Sequence, residues 1–151
     1  MRARFTTALL FLAACAPQAL AAGGLKAPDL KLTVTQSPDP GKPGSAVKIS
    51  VAVEPPEGIK LNQYPGITLK VTPPAGVTLE SNEAFVGTKK PIDDPEQFGF
   101  KHIDPLVLQG KVTGGGTKTL EGTLSFFYCV KASGYCAPGK MPVKIPVKVA
   151  G

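Results

Sequence analysis

Ala46-Val47-Lys48-Ile49-Ser50-Val51-Ala52-Val53 is the stretch that decides the fold class. Branched apolar residues stand at 47, 49, 51 and 53, with small or polar residues between them. That period of two puts one row of side chains on each face of a pleated strand, one row buried and one wet. Upstream, Ser37-Pro38-Asp39-Pro40-Gly41-Lys42-Pro43-Gly44 is a turn cluster with no helical option, and Leu30 to Thr35 alternates again. Downstream, Pro55-Pro56-Glu57-Gly58 turns the chain, Ile59 to Tyr64 is short and semi-extended, and Ile67 to Thr72 repeats the alternation before Pro73-Pro74.

The same grammar runs to the end. Ser81 to Gly87 carries Phe85 in a polar setting, and Lys89 to Glu96 reads as a loop. Gly114-Gly115-Gly116 predicts a tight hairpin between Gly110–Thr113 and Thr117–Leu120. Leu124 to Tyr128 continues as a buried strand into Cys129. Met141 to Val149 is a last strand. Its Pro142 and Pro146 cannot donate ladder hydrogen bonds, which predicts an edge position. No segment sustains helical periodicity. Seventeen Gly and sixteen Pro in 151 residues, with no collagen-like period, are turn punctuation between short strands. The pattern predicts an all-β chain folded as an immunoglobulin-like β-sandwich.

The start reads as an export signal: Arg2 and Arg4, then the short apolar run Ala8 to Ala14. Ala19-Leu20-Ala21 is a small-x-small cleavage site, giving a signal peptide over 1–21, a linker over 22–28 and one domain over 29–151. Leu12-Ala13-Ala14-Cys15 also fits a lipobox, giving a lipoprotein signal over 1–14 and lipidation at Cys15. Both readings put the domain in the periplasm or otherwise outside the cytoplasm, where disulfides persist. About 130 residues remain, enough for one core. Removing Arg2 and Arg4 leaves 15 lysines against 11 acids, a formal +4, and no arginine. Nucleic-acid modules lean on arginine forks, and these lysines are scattered along strand faces, so no nucleic acid is expected.

Chemistry concentrates in Phe126-Phe127-Tyr128-Cys129-Val130-Lys131-Ala132-Ser133-Gly134-Tyr135-Cys136-Ala137-Pro138. Six residues separate Cys129 from Cys136, a spacing that a hairpin can close into a disulfide. Such a short closed loop contributes only about 2 kcal/mol as a staple. The pair reads as a structural staple or a redox-active centre; Lys131 and Lys140 are nearby cations that favour a thiolate. Tyr128 and Tyr135 flank it, as its apolar surround or as ordinary sandwich packing. No metal or other cofactor is expected. A blue-copper site needs two histidines, and His102 is the only one. The acidic run Asp93-Asp94-Pro95-Glu96 lacks EF-hand spacing.

Three blocks, in order, carry a resemblance: Pro56-Glu57-Gly58-Ile59-Lys60-Leu61-Asn62 before the strand Ile67–Thr72; Glu83-Ala84-Phe85-Val86-Gly87; and Tyr128-Cys129 followed by Gly134-Tyr135-Cys136-Ala137-Pro138. Together they resemble the N-terminal, immunoglobulin-like domain of the bacterial thiol:disulfide interchange protein DsbD. The resemblance spans about Leu30 to Val149 and implies thiol–disulfide exchange in the periplasm, in a route tied to cytochrome c biogenesis. It implies that Cys136 is the partner-linked sulfur and Cys129 the resolving one. It implies further that Phe85 caps the pair as a movable shield and that Glu83 lies close by. Lys60 and Asn62 stand where that family often has tyrosines. The family's membrane and thioredoxin-like domains are missing, so the implied electron donor is a membrane-embedded thiol carrier acting in trans. The implied acceptors are periplasmic thioredoxin-like or disulfide-isomerase proteins. The alternative from the residues alone is a non-catalytic immunoglobulin-like binding or envelope module with a structural disulfide.

Overall fold

The computed structural model describes residues 26–151, so the leader, under either cleavage reading, and Cys15 lie outside the described part. Nine strands follow in order: β1 (Lys31–Ser37), β2 (Ala46–Glu54), β3 (Ile59–Leu61), β4 (Ile67–Thr72), β5 (Val77–Leu79), β6 (Glu83–Val86), β7 (Leu106–Val112), β8 (Gly116–Val130) and β9 (Cys136–Val149). One 3-10 turn, Pro95–Gln97, interrupts them, opened by Asp94, whose Oδ1 accepts from the Glu96 amide. The fold is an immunoglobulin-like β-sandwich of two antiparallel sheets, as the alternation predicts.

The first sheet runs β1-β2-β7-β5. The second is organised on the long strand β8. β9 lies along one side of β8 for its whole length, β3 and β4 share the other side end to end, and β6 borders β4. The inward rows meet as predicted from period two. Ile49 and Val51 of β2 and Leu106 and Leu108 of β7 face Ile67 and Leu69 of β4, Leu120 and Leu124 of β8 and Ile145 of β9, all essentially inaccessible. Each such side chain contributes about 1.5–3 kcal/mol by leaving water. The buried set forms one continuous cluster drawn from both sheets.

One connection departs from the expected topology. Gly114 to Gly116 does not turn a hairpin. β7 already pairs with β2 and β5, and β8 with β9 and β3/β4, so neither offers the other a free edge. The glycines instead carry the chain from one sheet to the other. Gly114 and Gly116 do so at positive φ, +72 and +88, where other residues are strained.

The β8–β9 ladder sets the geometry of the cysteine end. Even-numbered residues of β9 occupy its non-hydrogen-bonded positions, so their backbone groups face away from β8. Lys148 shows it directly: its N–H goes to the Gln36 side chain and its carbonyl accepts from Gly41 N–H. Pro138, Pro142 and Pro146 all fall on this outward set, where a missing N–H leaves the ladder intact. The edge position predicted from the prolines is therefore observed, and Lys140, Lys144 and Lys148 alternate with them. On the inward set, Gly139 faces Phe126; a Cβ there would lie 2.4 Å from the ring.

Candidate functional site

Cys129 is the penultimate residue of β8 and Cys136 begins β9, and the two are direct cross-strand partners. Their Cα atoms are 4.0 Å apart and a disulfide joins them. Between them, Val130 N–H donates to the Tyr135 carbonyl at 2.7 Å and Gly134 N–H to the Val130 carbonyl at 2.8 Å. Gly134 takes φ +70, which closes the turn. The pair occupies a non-hydrogen-bonded position, where side chains on neighbouring strands approach most closely. Both point to the outer face of the second sheet, away from the core.

The two sulfurs have different surroundings. Cys136 is exposed, at the open start of an edge strand, with Sγ 3.6 Å from the Gly134 carbonyl oxygen. Cys129 is half-buried. Lys60 faces it across the β3–β8 ladder, and the Lys60 stem crosses Gly99, where any side chain would collide with it. Asn62 lies on the same outer face. Its Nδ2 is 3.6 Å and its Oδ1 3.8 Å from Cys129 Sγ. At 9% exposure it is the one buried polar side chain among the described residues.

Asn62 is fixed from both sides. Its backbone N–H donates to the Phe127 carbonyl at 2.9 Å, and it bridges Gly99 on the other flank. There the chain from Phe98 to Phe100 extends the sheet: Gln63 N–H donates to the Phe98 carbonyl at 2.8 Å and Phe100 N–H to the Leu61 carbonyl at 3.0 Å. The 87–100 loop thereby walls off an apolar groove of about 270 Å³, lined by Asn62, Tyr64, Pro65, Ile92, Phe98 and Phe127. Asn62 stands between this groove and the disulfide.

The expected surround is redistributed. Tyr135 is beside the pair and 44% exposed, so it contributes open apolar surface. Tyr128 is not part of the surround: it points inward, 3% exposed, with its ring 6.1 Å from that of Phe126. Phe85 does not cover the disulfide. It pairs with Thr68, which pairs with Ser125, so it sits two strands over and about 13 Å along β8 from Cys129. Its ring lies on Gly66, where a Cβ would come within 2.5 Å, and under Lys89, whose Nζ is 5.1 Å from the ring centroid. Glu83 is farther away, level with Thr123, and ion-paired with Lys70 at 3.3 Å. Both corrections have one cause. β6 pairs as a regular strand outside β4, and strand register carries its side chains away from the hairpin. No cluster of three or more candidate metal ligands occurs among the described residues.

The residues that sequence reasoning passed over are Phe127, Phe98 and Ile92, while Asn62 drew notice only as a departure from tyrosine. The alternation of Ser125, Phe127 and Cys129 does put Phe127 on the cysteine face. Asn62 carries no local signal, because its place depends on the register between β3 and β8.

No family model and no curated protein matches the chain. Among solved structures it is similar to AggA, the major subunit of aggregative adherence fimbriae type I from Escherichia coli. Identity is 12% and the TM-score 0.34, over 81% of this chain and 96% of that one.

Proposed function

We propose that this chain is a thiol–disulfide exchange module working through Cys129 and Cys136. The observation that carries the reading is the asymmetry of the disulfide: one sulfur exposed at the tip of an edge hairpin, the other half-buried and touched by a side-chain amide. Exchange needs an in-line approach to one sulfur and a departing thiolate on the other. The location supports it too. The core closes between the sheets without the cysteines, so the bond can open without exposing buried apolar surface. The resemblance of the block from Tyr128 to Pro138 to the N-terminal domain of DsbD points the same way, while the Glu83–Gly87 block lies away from the pair.

In this reading Cys136 receives the partner and Cys129 resolves. Reducing equivalents come from a membrane-embedded thiol carrier acting in trans and pass to oxidised thioredoxin-like or isomerase-type proteins outside the cytoplasm. The test is the reduction potential of the pair in glutathione or dithiothreitol buffers, with circular dichroism on both forms. A potential near about −200 to −250 mV with the fold retained supports exchange. A potential well below about −300 mV, or unfolding on reduction, makes the bond a staple and the chain a non-catalytic sandwich module.

A further inference from the structure

Asn62 is an odd residue for a staple. A disulfide sulfur is a weak acceptor and has no proton to donate. Yet the side-chain amide of Asn62, a residue only 9% exposed, has Cys129 Sγ as its sole hydrogen-bond partner among the described residues. Buried polar groups cost free energy unless they are well bonded, and an apolar residue would pack at this place with no such cost. The backbone of Asn62 is held in position, by the Phe127 carbonyl on one side and the Gly99 bridge on the other, so the side chain springs from a fixed Cα.

The mismatch disappears when the disulfide opens. A Cys129 thiol can donate S–H to Oδ1, and a Cys129 thiolate can accept N–H from Nδ2. The second is a charge-assisted bond, roughly twice as strong as a neutral one. Both amide atoms are already within 3.8 Å of the sulfur, so little movement is needed.

We infer that Asn62 is a positioning residue that stabilises the reduced Cys129 sulfur, and so makes Cys129 the leaving group whenever Cys136 is attacked. The inference rests on the exchange reading above. In the step itself, one thiolate of a dithiol partner attacks Cys136 Sγ. A sulfur–sulfur bond forms between partner and Cys136 as the Cys129–Cys136 bond breaks. The bonding pair departs on Cys129, now a thiolate held by Asn62 Nδ2. The partner's second thiolate then displaces Cys136. The two protons that the partner's thiols gave up to solvent return to Cys129 and Cys136, so the domain leaves as a dithiol and the partner as a disulfide. Attack in the opposite sense, on Cys129, would put the departing charge on Cys136, which the amide does not reach.

The test compares wild type with Asn62→Leu and Asn62→Asp. The first removes the amide at similar volume; the second keeps the shape and sets a negative charge against the thiolate. Folding of each is checked by circular dichroism, and Asn62→Ser stands in for a variant that fails to fold. The readouts are the equilibrium constant with glutathione and the rate of opening by dithiothreitol. Asn62→Leu is expected to shift the equilibrium about tenfold toward the disulfide and slow opening about threefold, and Asn62→Asp to slow opening further, because its carboxylate opposes the departing thiolate while still accepting S–H from a thiol. Folded variants with wild-type equilibrium and rate overturn the role of Asn62 while leaving exchange intact. A wild-type protein whose disulfide never equilibrates with glutathione overturns the exchange reading and this assignment with it.

Discussion

Gln36 holds the backbone of Lys148 at both of its polar groups. Gln36 Oε1 accepts from Lys148 N–H at 2.8 Å, and Gln36 Nε2 donates to the Lys148 carbonyl at 2.7 Å. The side chain thus supplies, across the sandwich, the hydrogen bonds that a neighbouring strand would give. With the Gly41 bridge to Val149 it ties β1 and the following turn to the end of β9. Replacing Gln36 by Leu is expected to cost about 1–2 kcal/mol. Urea denaturation checks this: the midpoint falls while the slope is unchanged. An unmoved midpoint shows that water replaces the amide without loss.

Gly139 and Phe126 form a second dependency. The ring occupies the space that a side chain at 139 would take. Gly139→Ala is therefore expected to destabilise the domain by about 1–3 kcal/mol through overpacking. A Phe126→Leu change in the same chain should recover part of that loss, and a double-mutant cycle in denaturant reads the coupling. Strict additivity of the two changes shows that the contact is not what Gly139 serves.

The cysteines are expected to matter little for folding. A Cys129→Ser, Cys136→Ser double variant should keep the far-ultraviolet circular dichroism of the wild type and lose about 2 kcal/mol, the share of a short loop. A variant that is unfolded at room temperature assigns the pair a structural task.

Phe85 separates two pictures of access to the sulfurs. Seated on Gly66 and level with Ser125, it leaves the disulfide uncovered. Phe85→Ala should then change the rate of opening by dithiothreitol by less than about twofold, while costing about 1–3 kcal/mol of stability. Opening that speeds up by about tenfold or more identifies Phe85 as a lid that closes in solution.

Much of the fold was legible because period-two alternation survives any register. Val47, Ile49, Val51 and Val53 had to share a face whatever strand lay beside them, and Pro142 and Pro146 had to sit where no N–H is needed. The triple glycine misled because a turn of two or three residues fits a hairpin and a crossing between sheets equally well. Only the occupancy of both edges of β7 and β8 decides between them. The site was half legible for the same reason. The cysteines and Tyr135 are neighbours in sequence, so a hairpin brings them together. Asn62 and Phe127 meet through long-range pairing, and Phe85 and Glu83 are taken away by it, which no local pattern encodes.

The prolines of β9 leave a one-sided invitation at the open edge. From Cys136 to Pro146 the outward backbone positions offer a carbonyl at every step, but a donor only at Cys136, Lys140 and Lys144. An incoming strand would meet a comb with every second tooth missing and a positive charge on two of the teeth that remain. On the proposed exchange reading, a partner then engages the disulfide at the hairpin tip and departs readily, since the flank beside it has so little to hold on with.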